Sequence, residues 1–224
     1  MTDVLQSLVD KQDTFEIIRD QIALILANEV ANQMNLAVID AKDPEQWNLK
    51  IRTERSNPIE QALNDQDSLT PIVSIWFDNG SFDLSTGNVV DRQKMSGSFN
   101  IDCYGFGISS DELGTGHLSG DEQAAFESQR ATRLVRNFLM ASINTYLQKR
   151  GLVWRRWVQS INTFPQSFEN QSSLQVVATR IIFNVDFNEF APQYDGQELE
   201  LLNVDIIRDD DGFILAEADF DYTI

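Results

Sequence analysis

The chain has 224 residues, 42% of them hydrophobic, and a formal net charge of -18 from 35 acidic against 17 basic residues. That length and apolar content suffice for one good core and exclude a disordered chain, while the charge repels phosphate backbones and disfavours sequence-specific nucleic-acid binding. The N-terminus MTDVLQSLVDKQD has no basic region, and no apolar run is long enough to span a bilayer, so a soluble protein without secretion or membrane contact is expected.

Apolar residues at Phe15, Ile18, Ile22, Ile25, Leu26, Val30 and Met34 recur three and four apart. They predict a helix over residues 14–34 with one stripe for a sheet. Asp13 or Thr14 serves as N-cap and Glu16 lies in the first turn. Residues 37–70 weaken into a connection, with a small strand expected over 47–53 and a short helix begun by Pro58. In residues 71–77, Val73, Ile75 and Phe77 alternate with Ile72, Ser74 and Trp76, so both faces are largely apolar and the strand is central. Asp78-Asn79-Gly80 ends it with turn chemistry.

In residues 96–106 (SGSFNIDCYGF), Phe99, Ile101 and Cys103 alternate with Ser98, Asn100 and Asp102, giving one face to a core and one to water. Tyr104 and Phe106 then carry aromatics onto the polar face, which predicts cover at that end. The single cysteine, Cys103, falls on the apolar face, so a buried inert thiol is expected and an internal disulfide is excluded.

The excursion over 108–120 contains Gly114 and Gly116. Ser119 and Glu122 then have capping-box spacing, and Ala125, Leu134, Val135, Phe138, Leu139, Ile143, Tyr146 and Leu147 predict a second helix of about seven turns, ending at Arg150-Gly151. Residues 152–162 read as a strand broken by Pro165. Residues 174–187, with Val177, Ile181, Phe183, Val185 and Phe187 alternating, read as its antiparallel partner. Residues 198–208 and 213–222 flank Asp209-Asp210-Asp211-Gly212, whose Asp-Gly signals a hairpin turn. The order predicts an α+β fold: an antiparallel (mixed) sheet of about four strands, two long helices packed on one face, and a C-terminal β-hairpin. Residues 1–190 form one domain with an inserted connection at 37–70, and residues 191–224 form a hairpin arm.

No catalytic, cofactor-binding or metal-ligating set emerges. The stretch Gly114-Thr115-Gly116-His117-Leu118-Ser119-Gly120 lacks the glycine spacing and the Lys-Ser/Thr of phosphate loops. His117, the single histidine, has no evident Ser or Cys partner. Asp209, Asp210 and Asp211 suit a turn better than an EF-hand loop, and Asp186, Asn188 and Glu189 at a strand end supply no identifiable acid/base pair. In Trp154-Arg155-Arg156-Trp157, alternation puts Trp154 and Arg156 on one side and Arg155 and Trp157 on the other. That arrangement suits cation–π packing or a subunit contact rather than a nucleic-acid platform. Arg130, Arg133 and Arg136 recur every third residue, and two readings stay open: a solvated face with local carboxylate partners, or a ridge meeting an acidic neighbour.

A helix, then PIVSIWFDNGSFD and KMSGSFNIDCYGFG, a long helix, then WRRWVQSI and VVATRIIFNVDF, resembles the tail terminator (tail completion) proteins of long-tailed bacteriophages. The resemblance covers residues 15–188 and lies in element order and strand texture. It implies a virion protein of the tail or neck, assembled in the host cytoplasm as a homo-hexameric ring. Such a ring caps the tail tube protein's finished tube, ends its polymerisation and presents the surface joined by head-completion or connector proteins. Such a role requires no enzyme activity and no cofactor; the net charge adds the expectation of an acidic channel through which DNA passes without specific binding, and no membrane partner is expected. Arg130, Arg133, Arg136, Arg155 and Arg156 are the candidate subunit-interface residues. The connection at 37–70 and the hairpin after Ala191 depart from smaller family members. Two alternatives stand beside this reading: a head-closure or head-to-tail adaptor protein of the neck, and a small α+β enzyme using the His117 loop.

Overall fold

The computed structural model describes residues 12–54, 58–59, 69–83, 92–112, 116–166, 174–190, 201–207 and 214–221. The chain divides into two compact units, Asp10–Ala191 and a second that joins Met1–Val9 with Pro192–Ile224. The larger unit begins with α1 (Thr14–Ile39), a 3-10 turn (Pro44–Trp47), β1 (Lys50–Thr53), β2 (Ile72–Phe82) and β3 (Arg92–Ile108). A short ribbon of β4 (Ser110–Glu112) and β5 (Gly116–Leu118) leads into α2 (Gly120–Met140), followed by a second 3-10 turn (Ser142–Asn144), β6 (Val153–Gln166) and β7 (Leu174–Phe190). The second unit contains the strands β8 (Leu201–Ile207) and β9 (Ile214–Asp221); the Asp209-Asp210-Asp211-Gly212 turn lies outside the described residues, as do most of the helix expected after Pro58 and Gly114.

The fold is α+β, with a mixed sheet and two α-helices among the described residues. The sheet has five strands in the order β1-β2-β3-β7-β6 rather than the expected four, because β1 pairs parallel to β2 at one edge. The other pairings are antiparallel. Register aligns the apolar positions into rows: Val73 with Cys103 and Thr179, Ile75 with Ile101 and Ile181, Phe77 with Phe99 and Phe183. Both helices close over these rows, α1 through Ile18, Ile22, Ile25, Leu26 and Val30, and α2 through Ala131, Val135, Phe138 and Leu139. Full burial of such a side chain contributes about 1.5–3 kcal/mol, so this face dominates the stability of the unit. By length and composition α1 could also cross a membrane, yet its buried stripe belongs to this core.

Two glycines set how closely α2 approaches. A Cβ at Gly105 would lie 2.1 Å from the Ala124 carbonyl oxygen, and one at Gly107 would lie 2.1 Å from that of Gly120. The matching stripe on α2 is small: Gly120, Ala124, Ser128 and Ala131 are buried. Ser128 Oγ donates to the Cys103 carbonyl at 2.9 Å and lies 2.7 Å from Thr179 Oγ1, fastening the helix to β3 and β7. On the opposite sheet face, Ile72, Phe106, Leu174 and Val176 are covered with Ile59, and Tyr104 packs against them, as the aromatic end of the strand predicts.

Four local expectations change. Helix α2 stops at Met140, well short of Arg150. Asn144 is buried there and its Nδ2 donates to the Phe138 carbonyl at 2.8 Å, satisfying a helix-end acceptor and turning the chain. Leu147 still reaches the core, through a left-handed φ of 48°, while Ile143 is exposed. Asp78-Asn79-Gly80 does not end β2; a bulge between Phe77 and Asn79 carries the strand on to Phe82. Pro165 does not break β6, because β6 is a sheet edge and an edge strand tolerates a missing N–H. Ser119 is the N-cap of α2 but makes no capping bond to it; its hydroxyl meets Asp121, and Ser109 Oγ accepts the Gly120 N–H at 3.0 Å. At α1, Asp13 is the N-cap and its N–H donates to Glu16 at 3.1 Å.

Candidate subunit interface

The five candidate arginines divide by what their side chains touch. Arg130, half-buried, donates from Nε to Glu127 at 2.9 Å and through Nη1 to the carbonyls of Gln46 and Glu45, tying α2 to the first 3-10 turn. Arg156 is also half-buried. Its Nη2 donates to the Ala141 carbonyl at 2.7 Å and its Nε to the Asn144 carbonyl at 2.5 Å, so a cation caps the negative end of α2. Burial lowers its pKa from the usual arginine value. Both residues are engaged within the subunit.

The remaining three point outward. Arg133 and Arg136 are exposed on α2 and form no ion pair among the described residues. Phe126, 57% exposed, joins Arg133 around a shallow depression of the same helix. Arg155 is 70% exposed at its side chain, pairs with Asp186 at 3.0 Å and lies 4.5 Å from the Trp157 ring centre. A bulge between Val153 and Arg155 resets the alternation there, so Trp154 meets Lys94 at 4.2 Å instead of pairing with Arg156. The cation–π expectation for this stretch therefore holds at Arg155 and Trp157.

His117 lies in β5 opposite Asp111, and no group of three or more His, Cys, Asp or Glu among the described residues is placed to hold a metal. Asp186 holds Arg155, and Asn188 is buried with its N–H on the Leu152 carbonyl. Glu189 accepts the Thr14 N–H at 2.9 Å, and burial raises its pKa above the ordinary carboxylate value.

One constellation escaped the sequence reading. On the open sheet face Arg180 grips Asp102 in a bidentate pair, Nε to Oδ1 at 2.7 Å and Nη2 to Oδ2 at 2.9 Å, and Trp76 Nε1 donates to the same carboxylate at 3.2 Å. The guanidinium lies 5.1 Å from the Trp76 ring centre and 5.8 Å from that of Phe164. With Glu54, Pro58, Ser74 and Tyr104 this pair lines a cleft of about 450 Å³. Burial, then the Asp102 charge, pushes the Tyr104 hydroxyl up to about 12. The available signal was a lone arginine inside the apolar run VVATRIIFNV and a lone aspartate on the polar positions of a neighbouring strand.

The chain matches no protein-family model, and no curated protein matches it in sequence.

Proposed function

We propose that this chain is a ring-forming structural protein of a long-tailed bacteriophage neck, a tail terminator. Copies associate head to tail on the end of a finished tail tube, stop its polymerisation and present the surface to which the head is joined. One observation supports this above the others. Helix, hairpin, helix and hairpin follow one another into a single sheet with both helices on one face, in the element order that carries the resemblance. The strands of the second unit are read as a hairpin arm beyond that domain.

A ring needs two different patches of one subunit that meet on adjacent copies, with the rotation closing. Arg133 and Arg136, exposed and without an ion pair among the described residues, supply one such patch on an acidic protein. Binding and closure suffice for this work, without bond-making chemistry, and an acidic channel would pass DNA without retaining it. Incubation of the purified chain with tail tubes and, separately, with portal-bearing heads tests the assignment. The protein is expected on tube ends; binding to heads with none to tubes would replace the terminator with an adaptor.

A further inference from the structure

The charges of this acidic chain are strongly segregated. Residues 128–168, from just after Glu127 to just before Glu169, contain seven basic residues and no carboxylate. Arg130 and Arg156 are engaged inside the subunit. All of the other five are exposed along α2, the connection after it and the start of β6; Arg155 pairs with Asp186, while Arg133, Arg136, Lys149 and Arg150 form no ion pair among the described residues. Exposed apolar side chains stand in the same run: Met140, Ile143, Tyr146 and Trp154, of which Ile143 is 74% exposed. Such a basic and apolar run of chain is unusual on a protein of net charge -18 and fits an acidic, partly apolar partner.

That composition is found in the chain itself. Residues 192–224 hold ten carboxylates and a single base, Arg208, and so carry half of the net negative charge. In the register of β8 with β9, Asp205 stands opposite Glu217 and Asn203 opposite Asp219, while Leu202 opposite Phe220 and Val204 opposite Ala218 take the alternate positions. A two-stranded ribbon is marginal on its own, and a segment of this composition is complemented by a surface that offers cations and apolar area.

We propose that the acidic C-terminal segment of one copy docks on the basic α2–β6 run of the next. This rests on the ring reading and names the surface that Arg133 and Arg136 meet. The two patches differ, so the contact is heterologous and propagates around a ring until it closes. The bulges in β6 and its Pro165 obstruct a continuous added strand, so charge and apolar side-chain contacts carry the docking rather than an extension of the sheet.

Charge exchange in the full-length chain provides the test, read by sedimentation velocity at low salt with circular dichroism to verify folding. The basic-run variant carries Arg133→Glu, Arg136→Glu and Arg150→Glu; the arm variant carries Asp205→Lys, Glu217→Lys and Asp219→Lys. Wild type is expected as a closed oligomer and each variant alone as a monomer. An equimolar mixture of the two, and a chain carrying all six changes, should regain the oligomer, because opposite charges face each other again. A folded basic-run variant that keeps the wild-type oligomer overturns the docking and leaves the ring reading intact. Failure of both rescue samples overturns it equally. A monomeric wild type removes the ring reading and the docking together.

Discussion

Asp102 is 5% exposed yet carries a carboxylate, and Arg180 is the residue that makes this tolerable. Removing one partner of a buried pair leaves an uncompensated charge, whereas replacing both with apolar groups of similar size can be neutral. Because the Arg180 side chain is one-third exposed, the cost is reduced by solvent. Arg180→Ala should therefore lower unfolding free energy in urea by about 2–3 kcal/mol, with Asp102→Leu/Arg180→Met closer to wild type than either single change. Cys103 makes a second residue-scale prediction. Burial pushes its thiol from 9.0 up to about 12. A group whose folded pKa is raised contributes stability that is whole below the unfolded value and is lost as pH rises toward the folded one. The native thiol should thus react with a disulfide reagent at pH 8 only as fast as the chain opens, and stability should fall from pH 9 upward, less so in Cys103→Ala. The burial of Cys103 was legible from the alternation of Phe99, Ile101 and Cys103, a purely local pattern. The Asp102–Arg180 pair was not, because it depends on β3 and β7 becoming neighbours across 78 positions of chain.

At the scale of elements, the fit of α2 on β3 rests on missing side chains. Gly105→Ala would press a Cβ to within 2.1 Å of the Ala124 carbonyl and 2.3 Å of the Ser128 nitrogen, both backbone atoms that move only if the helix lifts. Overpacking of this kind costs about 1–3 kcal/mol, and the upper end is expected here, as a reduced thermal midpoint and weaker protection of α2 amides from hydrogen exchange. Gly151→Ala provides the contrast in space: nothing lies within 4 Å of a Cβ there, so any loss reflects its φ of 86° alone. Hydrophobic periodicity located both helices and the four long strands of the sheet. It overran the end of α2, since Tyr146 and Leu147 keep the apolar texture of a helix while Asn144 and Arg156 close the helix by hydrogen bonds that periodicity does not register. Pro165 and Asp78-Asn79-Gly80 misled for a related reason. Their meaning depends on whether the strand is at an edge and whether it contains a bulge, and both are set by the assembled sheet.

For the whole molecule, the arginines proposed for a subunit contact divide by what they touch within the chain. Arg130 and Arg156 are hydrogen-bonded within the subunit, so their replacement would confound stability with assembly, whereas Arg133 and Arg136 form no ion pair among the described residues and are the cleaner probes of the proposed contact. An interface built on exposed charges weakens with salt, because screening shortens the range of these interactions to about 8 Å at physiological ionic strength. The ring is the central claim, and native mass spectrometry of the purified chain, paired with negative-stain imaging, tests it most directly. Closed rings of several copies of the 25.5 kDa chain, six-fold in projection and dispersing as salt rises, are predicted. A single 25.5 kDa species at the concentrations where tails assemble would contradict it.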